Sequence, residues 1–244
     1  MSALEVTSLP TPDEVVTTVV ADLVNLIQER SANGADVHIS LTGGTIGMAI
    51  NESLLSHPVA RQCRSLHLWF SDERYVPRSH DDRNDLNLEP LLDGFTGKVH
   101  HVAGPDTSAS VQESASNYAQ QLHLATTTRF CADNTLMDVA IIGLGPDGHV
   151  ASIFPHSETL GAKDAVVAVT NSPKPPPVRV TWTYPTINAS REAWIVACGQ
   201  AKAEAVAAIL TQESPTEQAI AQTPACGVRG KVKTRIITDF AANE

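Results

Sequence analysis

Hydrophobic positions along the chain change period repeatedly, and the changes divide it into alternating helices and strands. Val16, Val19, Val20, Leu23 and Ile27 recur at helical spacing. Thr11-Pro12-Asp13-Glu14 opens that stretch with two start signals, a threonine able to cap and a proline where a missing N–H costs nothing. Gly34 follows as a stop. Short apolar runs at 37–41 and 66–70 read as strands, with a helix from the Gly43-Gly44 turn towards Leu55 between them. Further on, the pattern predicts a helix over 84–92, a strand over 98–102 and a helix over 110–124 whose Val111, Ala115, Tyr118 and Leu122 share one face. The run 137–143 is apolar throughout, as expected of a central strand covered on both faces. Strands at 165–169, 178–182, 193–198 and 234–238 and a helix over 200–210 complete the series.

Strands alternating with helices predict an α/β fold with a single doubly wound, mostly parallel sheet flanked by helices. The proline-rich stretch Asn171-Ser172-Pro173-Lys174-Pro175-Pro176-Pro177 is too short for a linker and reads as a stiff surface loop. Residues 1–244 are therefore expected to form one domain. No apolar run approaches the ~20 residues of a membrane span. The first ten residues carry Glu5 and no Lys or Arg, unlike a presequence, so the expected location is the cytoplasm.

Composition narrows the partners. A formal net charge of -10 argues against nucleic acid and acidic membranes, which need a basic surface. An acidic chain that binds a phosphorylated metabolite must gather its few cations locally, so the positions of Arg and Lys carry information. Cys63, Cys131, Cys198 and Cys226 are widely spaced and form no CxxC, which fits reduced structural thiols, Cys198 inside a strand.

Ligands of open parallel sheets bind beyond the carboxyl ends of the strands. Three polar clusters fall at such ends. Thr42-Gly43-Gly44-Thr45 lets the backbone approach an anion at a helix start, though a tight structural turn fits as well. Ser71-Asp72-Glu73-Arg74-Tyr75-Val76-Pro77 presents Arg74 as a forked cation held by neighbouring acids; a solvated turn is the plainer alternative. The nearby Asp81, Asp82 and Asp85 read as a solvated loop face. Gly143-Leu144-Gly145-Pro146-Asp147-Gly148-His149 matches GxGxxG formally, but Pro155 cuts off the helix a dinucleotide site requires. What remains is a glycine loop carrying Asp147 and His149. Arg179 and Lys202, each unremarkable alone, complete a cation group with Arg74.

In this order the clusters resemble the 6-phosphogluconolactonase family. The segment Gly143 to Pro155 is close to that family's G-(M/L)-G-P-D-G-H-T-A-S-L-F-P, with Val150 and Ile153 as departures. Trp69-Phe70-Ser71-Asp72-Glu73-Arg74-Tyr75-Val76-Pro77 is similar to W-x-x-D-E-R-x-V-P. Arg179-Val180-Thr181 with Pro185-Thr186-Ile187-Asn188, then Gly199 and Lys202, follow R-x-T…P-x-I-N and G-x-x-K. The family's Ser-Asn after D-E-R is Arg83-Asn84 here, so only Asn84 carries over.

The resemblance implies hydrolysis of 6-phosphoglucono-δ-lactone in the oxidative pentose phosphate pathway, with a small-molecule substrate and neither metal nor organic cofactor. It implies His149 as catalytic acid/base, and on chemical grounds Asp147 or Glu73 is expected to orient its ring. Substrate binding falls to Gly43, Gly44, Thr45, Asp72, Glu73, Arg74, Asn84, Arg179 and Lys202. An amino-sugar-phosphate isomerase/deaminase is the nearest alternative, but it expects an F-N-E-P-like element where Ser152-Ile153-Phe154-Pro155 stands. A non-catalytic sugar-phosphate sensor would keep the cations and have no need of His149.

Overall fold

The continuous apolar strands of this sequence require cover on both faces, and the fold supplies it. The computed structural model describes residues 3–212 and 214–241, the side chains of 128 and 130–133 excepted. Ten strands are β1 (Ala3–Ser8), β2 (Val37–Leu41), β3 (Leu66–Phe70), β4 (Asp72–Arg74), β5 (Lys98–Val99), β6 (Val139–Gly143), β7 (Val166–Val169), β8 (Arg179–Trp182), β9 (Glu192–Ala197) and β10 (Lys233–Thr238). The α-helices are α1 (Pro12–Ala32), α2 (Gly44–Ser56), α3 (Pro58–Gln62), α4 (Val111–Asp133), α5 (Tyr184–Ile187), α6 (Ala203–Leu210) and α7 (Glu217–Gln222).

Seven strands form one sheet in the order β1-β10-β9-β6-β2-β3-β5, every neighbouring pair parallel. Alternate residues of β6 serve opposite cores. Val139 and Ile141 join Val19, Leu23, Ile27, Ile50 and Leu54 of α1 and α2. Ala140 and Ile142 join Tyr118 and Leu122 of α4 and Val206 and Ile209 of α6. The parallel sheet between helical layers is the expected α/β architecture. Thr11 caps α1, its side chain accepting from the Glu14 N–H at 3.2 Å, as the start signals predict.

Several elements differ from their expected form. The strands expected at 165–169 and 178–182 exist as β7 and β8, but they belong to a separate antiparallel sheet in which β8 lies between β7 and β4. The helix expected over 84–92 is a 3₁₀ turn, Leu86–Leu91, because Pro90 removes a helical donor. The helix expected from 200 is also 3₁₀ over Gln200–Lys202 before α6 begins. Cys198 lies one residue past β9, not within it. Cys63, Cys198 and Cys226 are free thiols, and the side chain of Cys131 lies outside the described residues. Edge strand β1 escaped the pattern, being mostly exposed and bonded on one side only, to β10. Among the described residues no helix is long and apolar enough to cross a membrane.

From β2 the chain winds outward through β3 to β5, and from β6 it winds the other way through β9 to β10. The direction reverses between β2 and β6, and the crevice beyond their carboxyl ends is where such a sheet receives ligands.

Candidate active site

A cleft of about 600 Å³ opens at that reversal. Its walls include the turn entering α2, the loop leaving β6, and Asp72, Arg74, Asn84, Lys174, Arg179 and Lys202. The three polar clusters of the sequence thus meet in space.

Helix α2 starts on Gly43, which is extended and provides no side-chain cap. The first N–H groups of a helix have no partner within it, so an uncapped start facing a cleft favours an anion. A Cβ on Gly43 would collide with the Asn84 carboxamide, so glycine is required for the turn to lie against Asn84. Asn84 in turn donates from Nδ2 to the Asp72 carbonyl at 3.0 Å.

Leaving β6, the chain folds back tightly: Gly145 N–H donates to the His149 carbonyl and Gly148 N–H to that of Gly145, both at 2.9 Å. Residue 145 must be glycine, since a Cβ there would strike the His149 ring and the Asp147 carboxylate. Inside this turn Asp147 Oδ1 sits 2.5 Å from His149 Nδ1. The His149 ring stacks on Phe154, centroids 4.6 Å apart. With Nδ1 engaged, Nε2 is the nitrogen left for a ligand.

Burial drives the His149 pKa below its usual value; Asp147 opposes that shift and the Lys174 ammonium adds to it. The net direction favours neutral imidazole near pH 7, the form able to accept a proton. Burial alone would raise the Asp147 pKa, yet the His149 bond and Lys174 outweigh it and hold that carboxyl at about 2. Asp147 is therefore an anion that fixes the imidazole tautomer with the proton on Nδ1.

Lys174 is the residue that sequence reasoning missed. Its Nζ lies 3.2 Å from both Asp147 Oδ1 and His149 Nδ1. The proline-rich stretch is indeed a loop, but it hangs over the cleft. Arg179, only 4% exposed, donates to the Lys174 and Pro175 carbonyls from Nη2 and to the Pro176 carbonyl from Nε, at 3.0–3.1 Å. Its Nη1 stands 3.7 Å from Asp72, whose carboxylate also accepts from Ser152 Oγ at 2.7 Å. Arg179 thus supports the loop while adding positive charge. A lysine among prolines five residues before a cleft arginine was the available signal.

Arg74 donates from Nη1 to the Asp82 carbonyl at 2.5 Å, and its buried Nε has no acceptor. Burial and the Lys174 charge lower the Lys202 pKa. These four cations stand around one cleft in a chain of net charge -10.

Two expectations for the acidic segment fail. Asp85 is no solvated loop residue: it is 1% exposed and binds Arg83 bidentately at 2.7 and 2.8 Å, with His101 Nδ1 at 2.9 Å. Arg83 is committed to that pair and to the Val102 carbonyl, so it adds no cation to the cleft. Glu73, fully buried, points away from His149 and accepts backbone N–H groups from Arg74, Asn84 and Asp85. Of the two acids considered for orienting His149, Asp147 is the one in contact.

Among the described residues, side chains spaced to hold a metal ion are Asp36, His38 and His67. They lie at the amino ends of β2 and β3, roughly 13 Å along the strands from the cleft. His38 Nδ1 accepts from Trp69 Nε1 at 3.2 Å, leaving the His38 proton on Nε2, where a metal would have to bind.

The family model for glucosamine-6-phosphate isomerases/6-phosphogluconolactonase matches residues 10–237. The chain is 36% identical over 231 residues to a 6-phosphogluconolactonase of Streptomyces coelicolor, covering 91% of this chain and 87% of the relative. This chain belongs to the 6-phosphogluconolactonase family. A family member from Mycobacterium tuberculosis is 35% identical, with 98% and 96% of the two chains covered. The crystal structure of 6-phosphogluconolactonase from Thermotoga maritima superposes with a TM-score of 0.76 at 28% identity, covering 98% of this chain and 99% of that one.

Proposed function

We propose that this chain hydrolyses 6-phosphoglucono-δ-lactone to 6-phosphogluconate in the oxidative pentose phosphate pathway of the cytoplasm, as a single-domain esterase using general acid/base chemistry and no metal. The observation that carries this reading is the Asp147–His149 contact of 2.5 Å at the mouth of a cleft ringed by Arg74, Lys174, Arg179 and Lys202. Family membership supports the substrate, and the net charge of -10 makes a local cation ring meaningful.

In the proposed reaction His149 Nε2 takes a proton from water as the water oxygen attacks the lactone carbonyl carbon. The new C–O bond leaves negative charge on the carbonyl oxygen. Collapse of that intermediate breaks the bond to the ring oxygen, which departs with the proton from His149 Nε2. The acid product loses its proton to solvent, and neutral His149 is restored. Acid/base assistance of this kind contributes ~10²–10⁴-fold.

Oxyanion stabilisation falls to side-chain cations or the α2 start. The glycine-loop donors at Gly143, Leu144, Gly145 and Gly148 are engaged with Thr42 Oγ1, Val196, His149 and Gly145. The uncapped turn Gly43-Gly44-Thr45 and the lysines and arginines divide the phosphate and the sugar acid between them, with Asp72 and Asn84 shaping the wall.

The test is turnover of freshly made 6-phosphoglucono-δ-lactone, beside the unphosphorylated lactone, in excess chelator at mildly acidic pH. Fast, chelator-resistant hydrolysis of the phosphorylated lactone is expected. Rates no higher than the spontaneous background would end this reading.

A further inference from the structure

Glu73 lies between two residues of the cleft wall without reaching the cleft. Its side chain is 0% exposed, yet one oxygen accepts N–H groups from Arg74 and Asn84, at 2.8 and 2.9 Å, and the other accepts from Asp85 at 3.0 Å. Three backbone donors from two segments, 11 residues apart in sequence, therefore converge on one carboxylate. Burial of a charge is costly unless it is paired and hydrogen-bonded, and each of these bonds is charge-assisted.

The two segments it ties together are both functional in position. Arg74 ends β4 and faces the cleft. Asn84 fills the space that only glycine at 43 leaves open, and so sets how the α2 start meets the rest of the wall. Behind them, Arg83 stands 3.9 Å from Glu73 and is locked onto Asp85, whose other face meets His101. Tyr118 of α4 closes the far side, its hydroxyl donating to the Phe70 carbonyl at 3.1 Å.

We infer that Glu73 is a positioning residue of the substrate site, a buried carboxylate that fixes Arg74 and Asn84 by clamping their backbone N–H groups. It touches neither substrate nor His149, so its removal should weaken binding of the phosphorylated ligand and leave proton transfer alone. This inference rests on the proposed lactonase activity for its kinetic readout and on ligand affinity for an independent one. Burial pushes the Glu73 pKa up to about 7 against the pull of Arg83 and its N–H donors, so the clamp is half ionised at neutral pH and fully charged only at alkaline pH.

The experiment compares the unaltered chain with Glu73→Gln, Asn84→Ala and the double variant. It measures KM and kcat for the phosphorylated lactone and, by calorimetry, Kd for 6-phosphogluconate. Gln is isosteric but turns an amide toward one of the three donors, so KM and Kd should rise on the order of tenfold with kcat within about twofold. In the Asn84→Ala background the same substitution should do less, because the part of its effect carried by the Asn84 side chain is gone and only the part carried by Arg74 remains. KM and Kd unchanged in Glu73→Gln, or effects that multiply fully, would overturn the inference. Should Glu73→Gln not fold, Glu73→Asp keeps the charge and withdraws it from its donors; it must show the same rise, and wild-type affinity there would be equally contrary. If the unaltered chain lacks turnover, the activity reading fails, and the Kd series alone decides the role of Glu73.

Discussion

The two ends of the parallel sheet both carry histidines whose pKa values burial pushes down, and they do different things. At the carboxyl end, His149 has one nitrogen on Asp147 and the other free toward a cleft of cations. Toward the amino end, His38 and His67 stack with His100, which follows β5, and with Trp69, whose ring lies 3.6 Å from that of His100. His38 is held at about 3 and His100 at about 4. One nitrogen of each is engaged within the stack: His67 Nδ1 meets His100 Nε2 at 3.0 Å, and Trp69 Nε1 donates to His38 Nδ1. A perturbed pKa therefore does not by itself mark a reactive group here. What separates the two ends is a carboxylate that orients the ring and an open nitrogen facing a cavity.

Variants can break that comparison, and the largest effect belongs to His149. His149→Ala should lower kcat by ~10²–10⁴-fold while Kd for 6-phosphogluconate changes little. Single-turnover kinetics with calorimetry check this, and unchanged kcat removes His149 from the chemistry. Asp147→Asn keeps the shape but frees the other tautomer, so kcat should fall by at least about tenfold with the thermal midpoint nearly unmoved.

At the amino end the same kind of change should act on stability alone. Asp138, fully buried, binds Arg129 bidentately at 2.7 Å and the His38 N–H at 2.9 Å. Asp138→Ala should cost about 1–3 kcal/mol, because the His38 N–H and the guanidinium groups of Arg30 and Arg129 lose a buried acceptor. His38→Ala should cost ~1–3 kcal/mol by orphaning the Trp69 N–H, with kcat/KM per folded molecule unchanged. Urea unfolding beside the activity assay tests both, and a kcat loss in His38→Ala would dissolve the distinction between the ends.

A further difference between the ends lies in acid stability. The unfolded chain binds protons on these histidines below about pH 6.5, whereas the folded chain resists them until about pH 4 at His100 and about 3 at His38. Their contribution is present above pH 6.5 and is lost as pH falls toward those values. The thermal midpoint should drop over that window, and less steeply in His38→Ala. A flat midpoint would mean the stack admits protons in the folded state.

Much of this was readable in the chain. The strands entering the cleft are buried because helices cover both faces, and β6 stands out as a continuous apolar run, whereas β2 and β3 interrupt theirs with His38, Ser40 and His67. The glycine loop follows from the same rule, since a strand that stops at Gly143 must deliver its next residues to the ligand end. Pairing was harder to read. Nothing local distinguishes β7 and β8 from members of the main sheet, because β4, which pairs with β8, lies more than 100 residues away in sequence. Asp85 was misread for the same reason: a charged run looks solvated until its counter-charges, Arg83 and His101, are folded around it. Lys174 was concealed by its prolines, which signal a loop but not where the loop hangs.

The most direct test of the central claim is kcat at saturating phosphorylated lactone across about pH 5 to 8, the range in which histidine changes charge. It is kcat that is read because the buried Glu73 carboxyl, at about 7, acts on KM and not on kcat. The account predicts an acid limb with an apparent pKa below the ordinary histidine value, present in His38→Ala and absent from the residual activity of His149→Ala. A limb that survives in His149→Ala, or vanishes in His38→Ala, would contradict it.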